Sequence, residues 1–233
     1  MSSDFETATN DTSPIAVLAS GGLDSAILVG RLAQVRVVHP IYIQSDVVWM
    51  KAELAGLQDF LSRCQGNIQS LVVLQMPLAD LYGQHWSTGG AATPDRDTPD
   101  EAVYLPGRTA LLAVKAAVWC QQHQVSQLAL APLGTSPFAD SSQNFFDLFS
   151  QAMNLGAPND VQLIRPFGSM NKRQVMELGR ELPLEFSFSC IHPFGDNHCG
   201  QCNKCFERQE AFRRAEIEDR TTYAAGGDTN ASS

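Results

Sequence analysis

The sequence predicts an α/β protein: an open, mainly parallel sheet with helices on both faces, followed by a C-terminal helical segment built around a cysteine cluster. Three observations predict it. Short β-branched runs alternate with helical-period segments over residues 14–182, the spacing of βαβ crossovers. A glycine turn at Ser20–Ser25 separates the first run from the first helical segment. Four of the six cysteines fall within Cys190–Cys205, where the composition changes character.

Taken in order, residues 1–13 carry Asp4, Glu6 and Asp11 without apolar periodicity and are expected to be a disordered lead-in. IAVLAS, opened by Pro14, is short and β-branched enough to be a buried strand. DSAILVGRLAQ has apolar residues at helical spacing, and VRVVHPIYI reads as a second strand. VVWMKAELAGLQDFLSRC repeats apolar residues every three or four positions, and SLVVLQM is a third strand. Residues 83–107, rich in Gly, Pro, Thr and Asp, form a long loop of the kind that carries function. RTALLAVKAAVWCQQHQ is a helix, QLALA a short buried strand and SQNFFDLFSQAMNLG a further helix. VQLIRPF is a strand, and NKRQVMELGREL a helix with Asn171 as its N-cap. These elements make one α/β domain over 14–182. Residues 183–223 form the cysteine-rich segment, ending in the charged helix CNKCFERQEAFRRAEIE, and 224–233 a disordered tail.

A chain of 233 residues buries its core without disulfide help. The net charge of −9 argues against a polynucleotide-binding face, because such affinity rests on clustered Lys and Arg. Apolar runs are strand-length, short of the roughly 20 residues that a membrane helix needs. The acidic, polar N-terminus resembles no signal or transit peptide, so the expected location is the cytoplasm, without membrane or direct nucleic-acid contact.

The turn Ser20-Gly21-Gly22-Leu23-Asp24-Ser25, running into Ala26, has the composition of an anion nest. Its glycines reach torsions closed to other residues, and the helix behind offers free amides and its dipole. It is neither GxxxxGK[ST] nor GxGxxG. The pattern SGGxDS resembles the PP-loop of the N-type ATP pyrophosphatases, which split ATP between the α- and β-phosphates. The resemblance implies that Ser20–Ala26 bind ATP, and that Asp24 positions Mg²⁺ or the triphosphate while loop amides hold the departing pyrophosphate.

Cys190, Cys199, Cys202 and Cys205 run as C-x8-C-x2-C-x2-C, with Gly195 and Gly200 for turning. Four thiolates at such spacing suit tetrahedral Zn²⁺, with an iron–sulfur cluster as competitor. A closed four-cysteine zinc site has no open position and is structural. His192 and His198 read as solvated loop residues, and Cys64 and Cys120 as small buried hydrophobes.

Together, the SGGxDS loop and the cysteine run resemble the 7-cyano-7-deazaguanine synthase (QueC) family, from about Ile15 to Tyr223. The likeness includes LPGR at Leu105–Arg108, AMNLG at Ala152–Gly156, NK at Asn171–Lys172, CGxCxxCxxR ending at Arg208, and DRTTYA. It implies conversion of 7-carboxy-7-deazaguanine and ammonia to the nitrile preQ0, on the route to queuosine. ATP would activate first the carboxylate and then the amide, since oxygen leaves badly from either. It further implies a homodimer. Arg108 and Lys172 are the cations expected to face phosphates or the substrate carboxylate, as catalytic residues beside Asp24. Arg108 stands at a helix start, against the dipole, which points to an anionic partner outside the helix.

One segment departs from the family. Where many members carry a GYPDCR-like stretch, this chain has GTSPFADSSQNFF at Gly134–Phe146. Asp140 matches the acidic residue and could accept from a guanine-like edge, while Phe138 could stack on the ring. The departure keeps an alternative open: coupling of the activated carboxylate to another amine, such as a protein terminus, stopping at the amide. tRNA thiolation is weakened by the negative charge and by the lack of a cysteine outside the metal cluster suited to catalysis. A zinc- and nucleotide-binding regulator without turnover is weakened by the intact SGGLDS.

Overall fold

The computed structural model describes residues 3–89 and 92–224. Five parallel strands, β1 (Ile15–Leu18), β2 (Val38–Gln44), β3 (Val72–Gln75), β4 (Gln127–Ala129) and β5 (Gln162–Ile164), form one sheet in the order β3-β2-β1-β4-β5. Register is set by side-chain alternation, because a one-residue slip would turn each strand's core residues to the opposite face. Ile15 of β1 pairs Val38 of β2, and both sit in the core on one side of the sheet. Ala16 and Leu128, paired between β1 and β4, sit in the core on the other.

The first face is covered by α1 (Ser3–Asn10), α2 (Leu23–Leu32), α3 (Met50–Arg63), α8 (Lys172–Leu178) and α9 (Asn203–Ala215). The second is covered by α6 (Arg108–Gln122) and α7 (Gln143–Leu155). The loop of residues 83–107 holds the short helix α5 (Trp86–Gly89), preceded by α4 (Ala79–Tyr82). α8 starts on Asn171, whose side chain accepts from the Gln174 N–H at 3.0 Å while Gln174 accepts from the Asn171 N–H. This capping box makes the Asn171 N-cap explicit.

Residues 3–10, expected to be disordered, form α1 instead. Phe5 is 3% exposed and stacks on Phe167 at 5.7 Å. The buried Arg36 donates to the carbonyls of Ala8 and Ser13 and to Gln127 Oε1. Tertiary contacts thus hold a helix that its own polar sequence does not announce. Of the expected tail, only Ala224 lies within the described residues, its N–H bonded to the His198 carbonyl at 2.7 Å. Residues 183–223 are packed into the main body, since Leu184, Ala211, Phe212 and Ala215 share the core of the first face.

Strand β1 lies between β2 and β4, so the chain order reverses there. The loops leaving β1 and β4 diverge at that point and open a crevice at the carboxyl ends of the strands, the usual ligand position in such sheets.

Candidate active site

The crevice is a cavity of about 430 Å³, within the range of small-ligand pockets. Ser20, Gly22, Leu23, Asp24 and Ser25 of the glycine loop line it, with Arg108, Phe138, Asp140 and Lys172. Gly21 has φ +80°, and a Cβ there would stand 3.1 Å from the Glu53 carbonyl oxygen. Its carbonyl accepts from the Phe188 N–H at 2.7 Å, which ties the loop to the C-terminal segment. Ser25 Oγ accepts from the Ser20 N–H at 3.2 Å, lies 3.1 Å from Ser20 Oγ and donates to the Gly22 carbonyl. The loop is therefore shaped by its own hydroxyls. Ala26, expected in the nucleotide site, is fully buried in the core, and its N–H is taken by the Gly22 carbonyl. The first helical turn carries it away from the cavity.

Lys172, at the first position of α8, donates to both carboxylate oxygens of Asp24 at 2.8 Å and lies 3.5 Å from Glu207 of α9. Lys204 in turn donates to Glu207 at 2.7 Å. Burial opposes the Lys172 charge, but Asp24 and Glu207 outweigh it and hold its pKa above the ordinary lysine value. Burial likewise opposes the Glu207 carboxylate, yet Lys204 and Lys172 pull it down to about 2. Magnesium binds through one or two carboxylates plus phosphate oxygens. Asp24 and Glu207 fit that donor set, each keeping lone pairs beyond its lysine contact. Arg108 begins α6 behind Gly107 in the left-handed conformation, and among the described residues nothing accepts from its buried Nε. The same is true of the Trp86 indole N–H on the cavity wall.

Sequence reasoning missed Tyr42 and Glu53. Tyr42, near the C-terminal end of β2, donates to Glu53 Oε2 at 2.7 Å, and both line the cavity. Burial drives the Glu53 carboxyl up to about 7, against the pull of Arg108 and of the hydrogen bond from Tyr42. The available signal was position, since the carboxyl ends of strands and the helix starts beside them converge on the crevice. Lys204 and Glu207 were missed because their helix reads as an ordinary charged one.

Phe138 stacks on Tyr104 at 5.1 Å, and Asp140 stands in the adjacent 3₁₀ turn of residues 139–141. Phe146 is fully buried in the second-face core.

The four cysteines converge, with Sγ atoms all within 4.8 Å of one another and buried. The Cys190–Cys202 and Cys199–Cys205 separations are both 3.9 Å. Tetrahedral thiolates about 2.3 Å from a zinc ion stand roughly 3.8 Å apart, so the cluster can hold such an ion. Backbone N–H groups of His192 and Cys199 point at Cys190, and those of Gln201 and Cys202 at Cys199. Hydrogen bonds with Cys190, Cys202 and Cys205 pull Cys199 down, while those with Cys190, Cys199 and Cys202 push Cys205 up. Four sulfurs this close ionise together only around a cation. His198, expected to be solvated, is 4% exposed and accepts from the Ser189 N–H through Nε2 at 3.0 Å. It packs between Phe188 and Tyr223, which excludes water from it. His192 is exposed as expected. No helix among the described residues is long and apolar enough to cross a membrane.

The family profile described as "Queuosine biosynthesis protein QueC" matches residues 15–216. A 7-cyano-7-deazaguanine synthase of Desulfotalea psychrophila is 29% identical over 219 residues, covering 89% of this chain and 97% of that protein. One from Rhizobium rhizogenes is 30% identical over 221 residues, covering 89% and 90%. One from Methanothermobacter thermautotrophicus is 27% identical over 219 residues, covering 88% and 97%. With the profile match running through both the glycine loop and the cysteine cluster, the chain belongs to the queuosine biosynthesis protein QueC family.

Proposed function

We propose that this protein is an ATP-dependent carbon–nitrogen ligase that converts 7-carboxy-7-deazaguanine and ammonia into 7-cyano-7-deazaguanine. The observation that carries this reading is the opening of the Ser20–Ser25 loop into the same cavity as Arg108, Lys172 and Asp140. A carboxylate resists amines because its oxygen is a poor leaving group. Transfer of AMP from ATP to that oxygen, with loss of pyrophosphate, turns it into a good one. The loop amides and the helix dipole behind them suit the pyrophosphate as its charge develops. Arg108, with an unpartnered donor, and Lys172 supply the cations. Mg²⁺ held through Asp24, with Glu207 nearby, would neutralise the triphosphate. Ammonia then displaces AMP to give the amide, and a second activation of the amide oxygen leads to the nitrile. Asp140 and the Tyr104–Phe138 pair offer an acceptor and a flat surface to the base. Zn²⁺ at Cys190, Cys199, Cys202 and Cys205 is structural, because four thiolates leave no open position.

A second reading shares the first activation and ends at an amide formed with another amine, such as a protein terminus. The divergent Gly134–Phe146 segment favours it, since that segment contributes Phe138, Asp140, Ser141 and Phe146 to the cavity wall. Incubation with ATP, Mg²⁺, 7-carboxy-7-deazaguanine and ammonium, followed by mass spectrometry of the base, separates the two. Nitrile supports the first reading. Accumulated amide supports the second, and an unchanged base with no pyrophosphate release refutes both. Asp24→Ala should abolish pyrophosphate release, and full activity in that variant would remove the loop from the mechanism.

A further inference from the structure

Of the four carboxyls lining the cavity, Asp24 and Glu207 are paired with lysines and Asp140 stands in the divergent segment, whereas Glu53 makes no ion pair among the described residues and anion binding does not explain it. A carboxylate repels both the phosphates of a nucleotide and a substrate carboxylate, so affinity alone would select against it there. It is nevertheless held with care. Tyr42 from β2 fixes Oε2 at 2.7 Å, and the Glu53 backbone N–H is tied to the Trp49 carbonyl at the start of α3. Gly21 presents only backbone to it, its missing Cβ lying 3.4 Å from Glu53 Cγ. The charged and titratable groups facing Glu53 are thus Tyr42 from β2 and Arg108 from α6. Burial and the Glu53 charge raise the Tyr42 hydroxyl well above the ordinary phenol range, so Tyr42 remains a donor.

We propose that Glu53 is a catalytic residue, the proton acceptor for the amine that attacks the adenylated carboxylate, with Tyr42 as its positioning residue. This inference rests on the ligase reading above. The amine nitrogen forms a bond to the acyl carbon, and one N–H proton passes to the Glu53 carboxylate. The bond from the acyl carbon to the AMP oxygen breaks, and AMP leaves with that electron pair. Glu53 then returns its proton to solvent. A carboxyl whose pKa lies near 7 suits this task, since it is ionised often enough to accept a proton and basic enough to hold one. The assignment holds for ammonia and for a larger amine alike.

The test compares Glu53→Gln with the unaltered protein in two nucleophiles. With ammonium as the amine, amide or nitrile formation should fall by about a hundredfold or more. Hydroxylamine is neutral and strongly nucleophilic at neutral pH and needs no base, so hydroxamate formation should stay within about threefold of the parent. The parent's ammonia-dependent rate should rise through an inflection near 7 that Glu53→Gln lacks. Tyr42→Phe should shift that inflection while retaining measurable turnover. If Glu53→Gln loses hydroxamate formation and ATP–pyrophosphate exchange in parallel with ammonia turnover, Glu53 only supports the loop and the proposal is overturned. Unchanged ammonia turnover overturns it equally. Absence of substrate-dependent pyrophosphate exchange in the parent protein removes the ligase reading itself, and this inference with it.

Discussion

Replacing Glu53 with glutamine should make the protein more resistant to unfolding at alkaline pH, by an amount that grows between about pH 4.5 and 7. In the unfolded chain a glutamate ionises near 4.5, whereas burial moves Glu53 up to about 7 in the fold. Below 4.5 both states hold the proton and the difference vanishes. Between the two values the unfolded chain has released a proton that the folded chain retains, so stability falls as pH rises. Above 7 the loss is complete, and at about 1.4 kcal/mol per pH unit it amounts to about 3 kcal/mol. The glutamine amide brings a donor that needs its own acceptor, so the decisive quantity is the change with pH rather than the absolute level. Urea unfolding at about pH 5 and about pH 8 measures it for both proteins, with free energies from linear extrapolation. Because part of the loss is already incurred at pH 5, the parent should lose about 2.5 kcal/mol more than the variant across that interval. Parallel profiles would show that Glu53 ionises as freely in the fold as outside it, and its isolation in the cavity would be wrong. The expected result would also mean that the fold sacrifices stability to keep a carboxyl in this site.

Other substitutions probe the framework. Arg208 is 1% exposed and donates to Thr221, Ser187, Ser189 and the Leu184 carbonyl, so Arg208→Met should cost roughly 3–5 kcal/mol, read as a Tm drop of about 10 °C. A drop below about 3 °C would mean that those bonds are replaced by water. Cys202→Ser should lose bound zinc in elemental analysis and melt earlier, and a variant that stays folded and fully metal-loaded would refute a four-thiolate structural site. Phe5→Ala should detach α1 and cost about 3 kcal/mol, with new protease cleavage within residues 3–10 as the direct readout. Unchanged cleavage would show α1 to be held by its bonds to Arg36 and Ser169 and by Ala8 without need of Phe5.

The sheet was legible in the sequence because β1, β2 and β4 are buried on both faces over most of their length and are correspondingly rich in apolar residues. The Ser20–Ser25 loop was legible because its function requires particular residue types at adjacent positions. Cys190–Cys205 were legible for the same reason, and Asn171 because its capping chemistry is local. What failed was whatever depends on distant partners. α1 contributes only Phe5 and Ala8 to the core, and its helicity is supplied by Phe167 and Arg36, which no local pattern foretells. Glu53 occupies a helix position that reads as solvent-facing until Tyr42 and Arg108 are placed around it. His198 looked solvated because the loop that carries it is polar, whereas Phe188 and Tyr223 close over the ring.

A protein with an apolar core on each face of its sheet does not need a metal for bulk stability, so the cysteines, buried in a third, smaller apolar group with Trp49 and Phe188, call for a local reason. The chain from 187 to 202 has no regular helix or strand, and its backbone is fixed by few ladder bonds. Yet this stretch carries Phe188, whose N–H holds the Gly21 carbonyl, and Ser189, whose hydroxyl accepts from Arg208 at 3.2 Å. Cys190 follows directly. From the other side, Cys202 caps α9 and Cys205 lies in its first turn, so the sulfurs set where Lys204, Glu207 and Arg208 point. Lys204 and Glu207 lead through Lys172 to Asp24. A four-thiolate node therefore fixes both a backbone contact to the glycine loop and an ionic contact to its aspartate. A metal held by the four sulfurs would thus brace the cavity wall rather than take part in the chemistry, and its removal should loosen the site before it unfolds the sheet.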